Sequence, residues 1–455
     1  MIFGTRIPSR LPPGPTTPVL WQTYLAVAKP LEYIRSIRAR YGDVTSFHTL
    51  AGRGIAVCDP AVARDVFAAP PESFLVPDIA PSIFGTHAVI ATSGATHKKQ
   101  RKLLNPHFNG QRIKAAYDTM ARVVRARLDE VPLGETIALT DVTQSIALDI
   151  ILSTVFGDAS GAELDRGRVV LRAMVKAFSP AILPTARLHS RLFPPWRKYA
   201  SSRRDFDVWV DGLIAARRKK GALGDDLLGL FLVTKYDDDA NMADEEIRDQ
   251  LVTLLLAGHE TSATAIAWAM YWLHRTPAVL ARLRDELADP SPDVLVKHPY
   301  LTAVCSEALR MEPVVTDIIR ICRERFQLRQ WTLEKGEPIA VMMTGILKNE
   351  RVFPEPDRFR PERFLEKSYS ATEFLPFGGG SRRCLGAAFA EAEMAIAVGI
   401  LVSEWNLELV DREERAVRHN ITMGPERGVR VRFVGRRPAR PAATSEPRPA
   451  TPPTP

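Results

Sequence analysis

The spacing of apolar and polar residues divides the chain into many helical stretches and a few short strands. The helices that this periodicity predicts span residues 24–40, 60–68, 112–130, 140–156, 163–179 and 196–220. The strands predicted from alternation span 43–50 and 54–58 as a hairpin, short segments of 331–341, and 405–410 and 429–434. The balance favours a mainly α-helical fold with a smaller β-rich region.

The longest helical pattern covers residues 242–274, which at 1.5 Å per residue is roughly 45 Å of helix. Residues 251–256 are apolar nearly all round, which is typical of a buried helix. The sequence Ala257-Gly258-His259-Glu260-Thr261 interrupts this run. The Thr261 hydroxyl can bond the carbonyl three or four residues earlier. A carboxylate such as Glu260 among apolar neighbours is costly to bury unless it is paired, hydrated or used in the function. The plainer alternative is a surface-facing Glu260 beside a core threonine.

Composition is that of an ordinary globular protein of 455 residues, with 45% hydrophobic and 25% charged residues. No interior linker or repeat divides it, so we expect one domain over 19–435. It would lie between a proline-rich lead-in, 1–18, and an Arg/Pro-rich tail, 436–455, that is predicted to be disordered. The four cysteines are widely scattered, which argues against a disulfide framework and suits a reducing cytoplasm.

The net charge of +8 comes from dispersed lysines and arginines without a nucleic-acid-binding motif, so no nucleic-acid partner is expected. The segment before Leu11 has ten residues, far fewer than the roughly 20 apolar residues of a membrane span. Residues 21–28 are apolar but equally short. We therefore expect a cytoplasmic protein without a membrane anchor.

Residues 70–95 combine Pro, Ser and Gly with isolated bulky apolar side chains, namely Phe74, Ile79, Ile83, Phe84 and Val89. A long loop of this kind is often a lid or a binding loop. Its apolar residues can equally pack into the core, and the sequence leaves both interpretations open.

A single cysteine, Cys384, lies in the glycine-rich stretch Phe377-Gly378-Gly379-Gly380-Ser381-Arg382-Arg383-Cys384-Leu385-Gly386, just before an apolar helical run. Backbone N–H groups, arginines and a helix N-terminus would all stabilise a thiolate there, which suits a ligand of haem iron. Three alternatives remain. A phosphate cradle would lack the P-loop lysine, a zinc site would lack nearby ligands, and a buried structural cysteine is the commonest role.

This stretch resembles the Phe-x-x-Gly-x-Arg-x-Cys-x-Gly signature of the cytochrome P450 family, and the resemblance extends over residues 11–434. It implies the cytochrome P450 fold, with haem b between the long helix and this loop and Cys384 as the axial ligand of the iron. The other signature residues, Phe377, Gly380, Arg382 and Gly386, would then surround the cofactor.

The interrupted helix is similar to the family's Ala/Gly-Gly-x-Asp/Glu-Thr motif, which lies over the distal face of the haem. The resemblance implies that Ala257 lies against the cofactor and that Gly258 leaves room for dioxygen. It also implies that Glu260 and Thr261 deliver protons through water. His259 occupies the variable position and is given no catalytic role.

Basic residues are the remaining cofactor candidates. His97 and Arg101 share one helix face at i, i+4, and the usual alternative is a solvated basic helix. The resemblance implies that this pair and Arg320 bind the haem propionates. The neighbouring Lys98, Lys99 and Lys102 would help to form a basic surface for an acidic electron donor.

Glu307 and Arg310 lie at i, i+3, the spacing of a solvated helix pair. They also match the family's Glu-x-x-Arg, whose partner here is Arg363. The resemblance implies a buried structural cluster of these three residues.

The implied activity inserts one oxygen atom from O2 into a hydrophobic substrate such as a fatty acid, a terpenoid or a polyketide-type secondary metabolite. Electrons would come from a ferredoxin and ferredoxin reductase or an equivalent donor, and we expect a monomer. Residues 421–423 are further candidates for contacting substrate. The pocket candidates are Phe84, Val89, Phe178, Leu254, Leu255, Val315, Asp317, Ile318, Ile319 and Met423, of which Asp317 would supply a polar contact.

Two other function classes remain. One is a P450 that rearranges peroxides or dehydrates its substrate without a reductase, and the other is a non-enzymatic haem-thiolate sensor or binding protein. Neither needs the Glu260–Thr261 pair, so its presence favours the monooxygenase.

Overall fold

The protein was analysed as a computed structural model that describes residues 11–438, except 158, 185, 187, 188, 222, 223, 225 and 238. The first ten residues of the predicted lead-in and the predicted tail from residue 439 lie outside the described residues. Arg436, where the sequence predicted that the tail begins, is the last residue of a strand.

Helices make up most of the described chain. They are α1 Val19–Ala28, α2 Pro30–Tyr41, α3 Pro60–Ala68, α4 Ala80–Phe84, α5 Gly94–Leu104, α6 Gly110–Ala115, α7 Tyr117–Asp129, α8 Leu139–Phe156, α9 Gly161–Ala177, α10 Pro194–Lys220, α11 Leu227–Val233, α12 Asp244–Arg275, α13 Pro277–Glu286, α14 Pro292–Lys297, α15 Pro299–Met311, α16 Met343–Leu347, α17 Arg363–Glu366 and α18 Ala387–Glu404. The strands are β1 Val44–Thr49, β2 Gly52–Val57, β3 Phe74–Leu75, β4 Thr136–Ala138, β5 Asp317–Cys322, β6 Phe326–Leu328, β7 Trp331–Leu333, β8 Pro338–Met342, β9 Trp405–Leu409, β10 Ala416–Arg418, β11 Met423–Pro425 and β12 Arg430–Arg436.

The largest sheet has the order β1-β2-β8-β5-β3, in which β2 and β8 are parallel and the other neighbours are antiparallel. A second sheet, β4-β12-β9, joins distant parts of the chain, and β10-β11 and β6-β7 form two small hairpins. The predicted N-terminal hairpin is present as β1-β2. Of the strands predicted in 331–341, β7 pairs with β6 rather than with β8, which joins the large sheet instead.

Two predicted helices are each divided in the structure. The helix predicted over 24–40 is α1 and α2, because Pro30 has no N–H to continue the first helix and starts the second one. The helix predicted over 112–130 is α6 and α7, separated at Ala116. Helix α3 begins where predicted, since the Asp59 carboxylate accepts the backbone N–H groups of residues 61 and 62.

The stretch predicted as a long loop, 70–95, carries β3, α4 and the start of α5. Of its predicted apolar side chains, Phe74, Ile83, Phe84 and Val89 are buried, and Ile79 is half-buried and packs against the same cluster as the last three. Of the two interpretations of this loop, the structure therefore shows the one in which its apolar residues pack into the core.

Polar contacts hold this loop on α10 and α12. The Ile83 carbonyl accepts hydrogen bonds from Tyr199 Oη at 2.8 Å and Arg203 Nη1 at 2.7 Å. The His87 N–H donates to Asp249 Oδ2 at 3.1 Å. Because these partners lie on two different helices, the loop is fixed from both sides.

Helix α12 has 32 residues and lies between two hydrophobic clusters, which share α8. Its C-terminal half packs with α7, α15 and α18, and its N-terminal half packs with α9, α10, α11 and the 80–91 segment. Of the described helices, only α8 is long and apolar enough to cross a membrane, and 61% of it is buried inside the fold, as in a core helix of a soluble protein.

Candidate haem site

The stretch from Phe377 to Gly386 folds into a tight loop in front of α18. The Cys384 N–H donates to the Phe377 carbonyl at 2.9 Å, which closes the loop. Gly380 has φ +67°, and a Cβ there would meet the Phe67 carbonyl oxygen at 2.9 Å. Glycine is therefore required at this position by both its backbone conformation and its close neighbour.

Cys384 is the exposed member of the four cysteines, whereas Cys58, Cys305 and Cys322 are buried. Burial raises the pKa of the thiols of all three buried cysteines to about 12. Burial by the surrounding protein atoms also raises the pKa of the Cys384 thiol, although the residue keeps some surface exposure, and the Gly386 N–H and the nearby cations Arg383 and Arg101 oppose that rise. The thiolate favoured by the loop sequence therefore has its stabilising groups in place.

Four basic side chains from three parts of the chain meet beside this loop. His97 and Arg101 come from α5, Arg320 from β5 and Arg382 from the loop itself. Burial, followed by Arg382, Arg101 and Arg320, lowers the pKa of His97 to about 4. The pKa of Arg320 falls to about 10 through burial and Arg382, and that of Arg382 falls to about 10 through burial and Arg101.

In each case burial is the larger cause, and the positive charge of neighbouring arginines lowers the pKa further. Arg101 Nη1 donates to the Arg383 carbonyl at 3.0 Å, Arg320 Nη1 donates to the Ile319 carbonyl at 3.1 Å, and Arg382 Nη2 donates to the Thr92 carbonyl. Within the described residues no carboxylate forms an ion pair with any of the three arginines. A ligand carrying two carboxylates would supply the missing negative charge, so the cluster fits a dianionic group held next to Cys384.

The interrupted segment of α12 is helical throughout. Thr261 Oγ1 donates to the Ala257 carbonyl at 2.5 Å, the local bond that the sequence suggested. A Cβ on Gly258 would meet Ile151 Cδ1 of α8 at 3.3 Å, so this glycine allows α8 and α12 to approach closely. His259 is 3% exposed, and burial lowers its pKa to about 4.

Glu260 is not surface-facing, because it is 8% exposed. Its Oε1 accepts hydrogen bonds from Thr422 Oγ1 at 2.8 Å and Asn420 Nδ2 at 3.0 Å. The sequence analysis missed both partners as contacts of Glu260, although it placed Thr422 among candidates for contacting substrate. No local signal could have revealed them, since Thr422 lies 162 positions away along the chain.

The Glu307, Arg310 and Arg363 side chains meet in the interior, each 0 or 1% exposed. Arg310 Nε donates to Glu307 Oε2 at 2.7 Å, and Arg363 Nε donates to Glu307 Oε1 at 3.1 Å. The backbone N–H of Arg360 adds a further bond to Glu307 Oε1 at 2.8 Å. The cluster joins α15 to α17 and to the segment just before it.

The predicted pocket residues fall into separate groups. The first group belongs to one hydrophobic cluster or packs against it, and its members are Phe84, Val89, Phe178, Leu254 and Leu255. Leu255 is fully buried, while Phe178 and Leu254 are half-buried at the edge of this cluster. The second group, Val315 and Ile318, packs against the cluster of the large sheet.

Strand alternation separates the β5 candidates from one another. Ile318 and Arg320 share one face of β5, whereas Asp317 and Ile319 point to the other face. A Cβ on Gly378 would meet Ile318 Cδ1 at 3.1 Å, so the Ile318 face is the one turned towards the Cys384 loop. Met423 is 3% exposed and bonds the Val314 carbonyl through its N–H at 2.7 Å.

Two of the lysines predicted to form a donor surface contact the 235–241 turn. Lys102 Nζ lies 2.8 Å from Asp237 Oδ2, and Lys99 Nζ lies 4.1 Å from the centre of the Tyr236 ring. Both side chains thus attach α5 to that turn, and Lys98 is exposed.

The family model for cytochrome P450 matches residues 12–429. Two similar relatives come from Mycobacterium tuberculosis. Putative cytochrome P450 138 is 34% identical over 93% of this chain and 96% of the relative, and putative cytochrome P450 137 is 33% identical over 94% and 92%. The solved structure of retinoic acid bound cyanobacterial CYP120A1 superposes with a TM-score of 0.83 at 22% identity, covering 94% of this chain and 99% of that one, and shares the fold.

The chain therefore belongs to the cytochrome P450 family. It has the cytochrome P450 fold and is a haem-thiolate monooxygenase whose cofactor is haem b with a cysteine thiolate ligand. Its reactants are O2, a hydrophobic substrate and electrons from transfer partners. The exposed cysteine beside four basic side chains fits such a cofactor, because haem b offers an iron and two carboxylates.

Proposed function

We propose that Cys384 would supply the thiolate ligand of the haem iron and that the chain oxygenates a lipid-like small molecule. The observation that carries this proposal is the position of Cys384, the exposed cysteine, within a glycine loop that adjoins His97, Arg101, Arg320 and Arg382. When bound, a thiolate-ligated haem supplies the chemistry that activates dioxygen and transfers one of its oxygen atoms.

The loop and its surroundings hold the cofactor in this proposal. Phe377, Gly380 and Gly386 shape the backbone around the sulfur, and the Gly386 N–H bonds to it. His97, Arg101, Arg320 and Arg382 bind the two carboxylates, which relieves their mutual repulsion.

The distal helix supplies the proton chemistry. Ala257 and Gly258 would lie against the haem, and Thr261 and Glu260 would pass protons from water into the side of the site where oxygen is used. The Thr261 hydroxyl donates to the Ala257 carbonyl, so it can turn between that oxygen and a water molecule. Glu260 provides a buried carboxylate next to it in sequence.

The carbon monoxide spectrum tests the ligand. Reduced protein with carbon monoxide should show the strongly red-shifted Soret band of thiolate ligation, and Cys384→Ser should lose it. Cys322→Ser, which changes a buried cysteine, is the matched control and should keep the band. An imidazole-type band in the unchanged protein, or a normal band in Cys384→Ser, would refute the assignment.

Thr261→Ala tests proton delivery. The variant should bind haem and retain its spectrum, but it should divert electrons from NADPH to hydrogen peroxide in a reconstituted assay with a surrogate ferredoxin and its reductase. Unchanged coupling of electrons to product would remove Thr261 from the scheme. The same assay distinguishes the other classes, because a peroxide-rearranging enzyme turns over without electrons and a sensor forms no product.

The substrate is proposed to be a fatty acid, a terpenoid or a polyketide-type natural product, as in secondary metabolism. Support comes from the apolar cluster next to α12 and from the Ile318 side chain of β5, which faces the Cys384 loop. Titration of dodecanoic acid, a terpene alcohol and a macrolactone should give a low- to high-spin shift with at least one of them. We propose a cytoplasmic monomer that is reduced by a ferredoxin docking near the exposed Lys98.

A further inference from the structure

We infer that Asn420 and Thr422 are positioning residues for Glu260, which fix one of its carboxylate oxygens so that the other one exchanges protons. The inference rests on the proposed role of Glu260 in proton delivery. It assigns a task to the turn between β10 and β11, 419–422, which we call the acid-holding turn.

The contact is specific to one atom of the acid. Both donors, Thr422 Oγ1 at 2.8 Å and Asn420 Nδ2 at 3.0 Å, reach Glu260 Oε1. Thr422 is 1% exposed and Glu260 is 8% exposed, so little water competes for these bonds. An amide nitrogen can only donate, and Oε1 must therefore accept. A proton carried by Glu260 consequently resides on Oε2.

The acid-holding turn is itself anchored at its base. Arg418 and Met423 are opposite each other in the β10–β11 hairpin. Arg418 Nε donates to the Val27 carbonyl at 2.9 Å, and the Met423 N–H donates to the Val314 carbonyl at 2.7 Å. These bonds connect the hairpin to α1 and to the segment before β5, so its tip is held against α12.

The tip also adjoins the apolar residues proposed to meet substrate. Ile421, between the two donors, packs against the cluster that contains Phe84 and Leu255. Ile421 thus links the acid-holding turn to the apolar region. The position of the Glu260 carboxylate depends on the position of the same turn.

Loss of one hydrogen bond to a charged acceptor should change a rate that depends on it by roughly tenfold or more. Thr422→Val removes the hydroxyl at nearly constant volume, whereas Thr422→Ser keeps it. Thr45→Val is the matched control, because Thr45 is also buried and its hydroxyl has no hydrogen-bond partner among the described residues.

The experiment measures peroxide formed per NADPH oxidised by the holoenzyme, across pH, with dodecanoic acid and without added substrate. We call the peroxide formed per NADPH oxidised the peroxide share. Thr422→Val should raise the peroxide share and change how that share varies with pH, while Thr422→Ser and Thr45→Val should follow the wild type. A second readout needs no turnover. The loss of stability to urea caused by Thr422→Val should be larger when Glu260 is present than in Glu260→Ala.

The outcomes separate this inference from the proposed function. If Glu260→Gln leaves the peroxide share unchanged, the proton role of Glu260 fails and the inference fails with it. If Glu260→Gln raises that share but Thr422→Val behaves like Thr45→Val, only the positioning role is overturned. Equal stability losses of Thr422→Val with and without Glu260 would also overturn it.

Discussion

Replacing Glu393 by Gln should remove a large part of the dependence of stability on pH. Glu393 lies on α18, is 2% exposed, and has no hydrogen-bond partner for Oε1 in the described part of the chain. Burial raises the pKa of its carboxyl from 4.5 to about 8, and a bond with the Ser262 side chain of α12 offsets part of that rise. The folded protein therefore keeps this carboxyl protonated at neutral pH.

The sign and size of the effect follow from proton linkage. Between the unfolded pKa and the folded pKa, the folded state holds one proton more than the unfolded state at this position. Stability is therefore present at low pH and is lost as pH rises, by about 1.4 kcal/mol per pH unit. From about pH 5.5 to about pH 7.5, the free energy of unfolding should fall by about 2.5 kcal/mol through Glu393 alone.

Urea unfolding of the holoprotein at several pH values measures this effect. The difference in unfolding free energy between Glu393→Gln and the wild type should grow with pH, because glutamine does not titrate. Other buried acids, such as Glu312, are present in both proteins and cancel from the difference. The exposed Glu413→Gln is the control and should give a difference that is flat with pH. A flat difference for Glu393→Gln as well would refute the reasoning.

Two further predictions concern buried contacts outside the haem site. Arg363→Met should lower the free energy of unfolding in urea by about 3–5 kcal/mol, because it leaves the buried Glu307 carboxylate without one of its partners. The control is Arg358→Met, whose side chain is 64% exposed and whose loss should cost about 1 kcal/mol or less. Equal costs would contradict the buried cluster. Gly85→Ala should speed hydrogen exchange over residues 80–92, because its φ is +99° and a Cβ would overlap the Asp249 carboxylate. Gly42→Ala is the control, because Gly42 has a similar φ of +93° but open space where a Cβ would lie. If Gly85→Ala leaves hydrogen exchange over residues 80–92 at the wild-type rate, the overlap with Asp249 is harmless.

Local spacing in the sequence determined the parts of the site that lie within one short segment. The turn around Cys384, the helix containing Glu260 and Thr261, and the i, i+4 pair of His97 and Arg101 could all be predicted in this way. Hydrophobic periodicity likewise predicted most of the long helices, with errors at helix breaks such as Pro30. These features depend on neighbours within a few positions, and so a single sequence is enough to reveal them.

Tertiary structure alone decided what each of these groups touches. It placed Arg320 of β5 beside Arg382, and it separated Ile318 from Asp317 by strand alternation. It also gave Glu260 its two donors from a turn about 160 residues later, as the separation of 162 positions from Thr422 shows. Such contacts join segments whose separation in sequence carries no period or motif. They follow only from how the helices and sheets pack around one core.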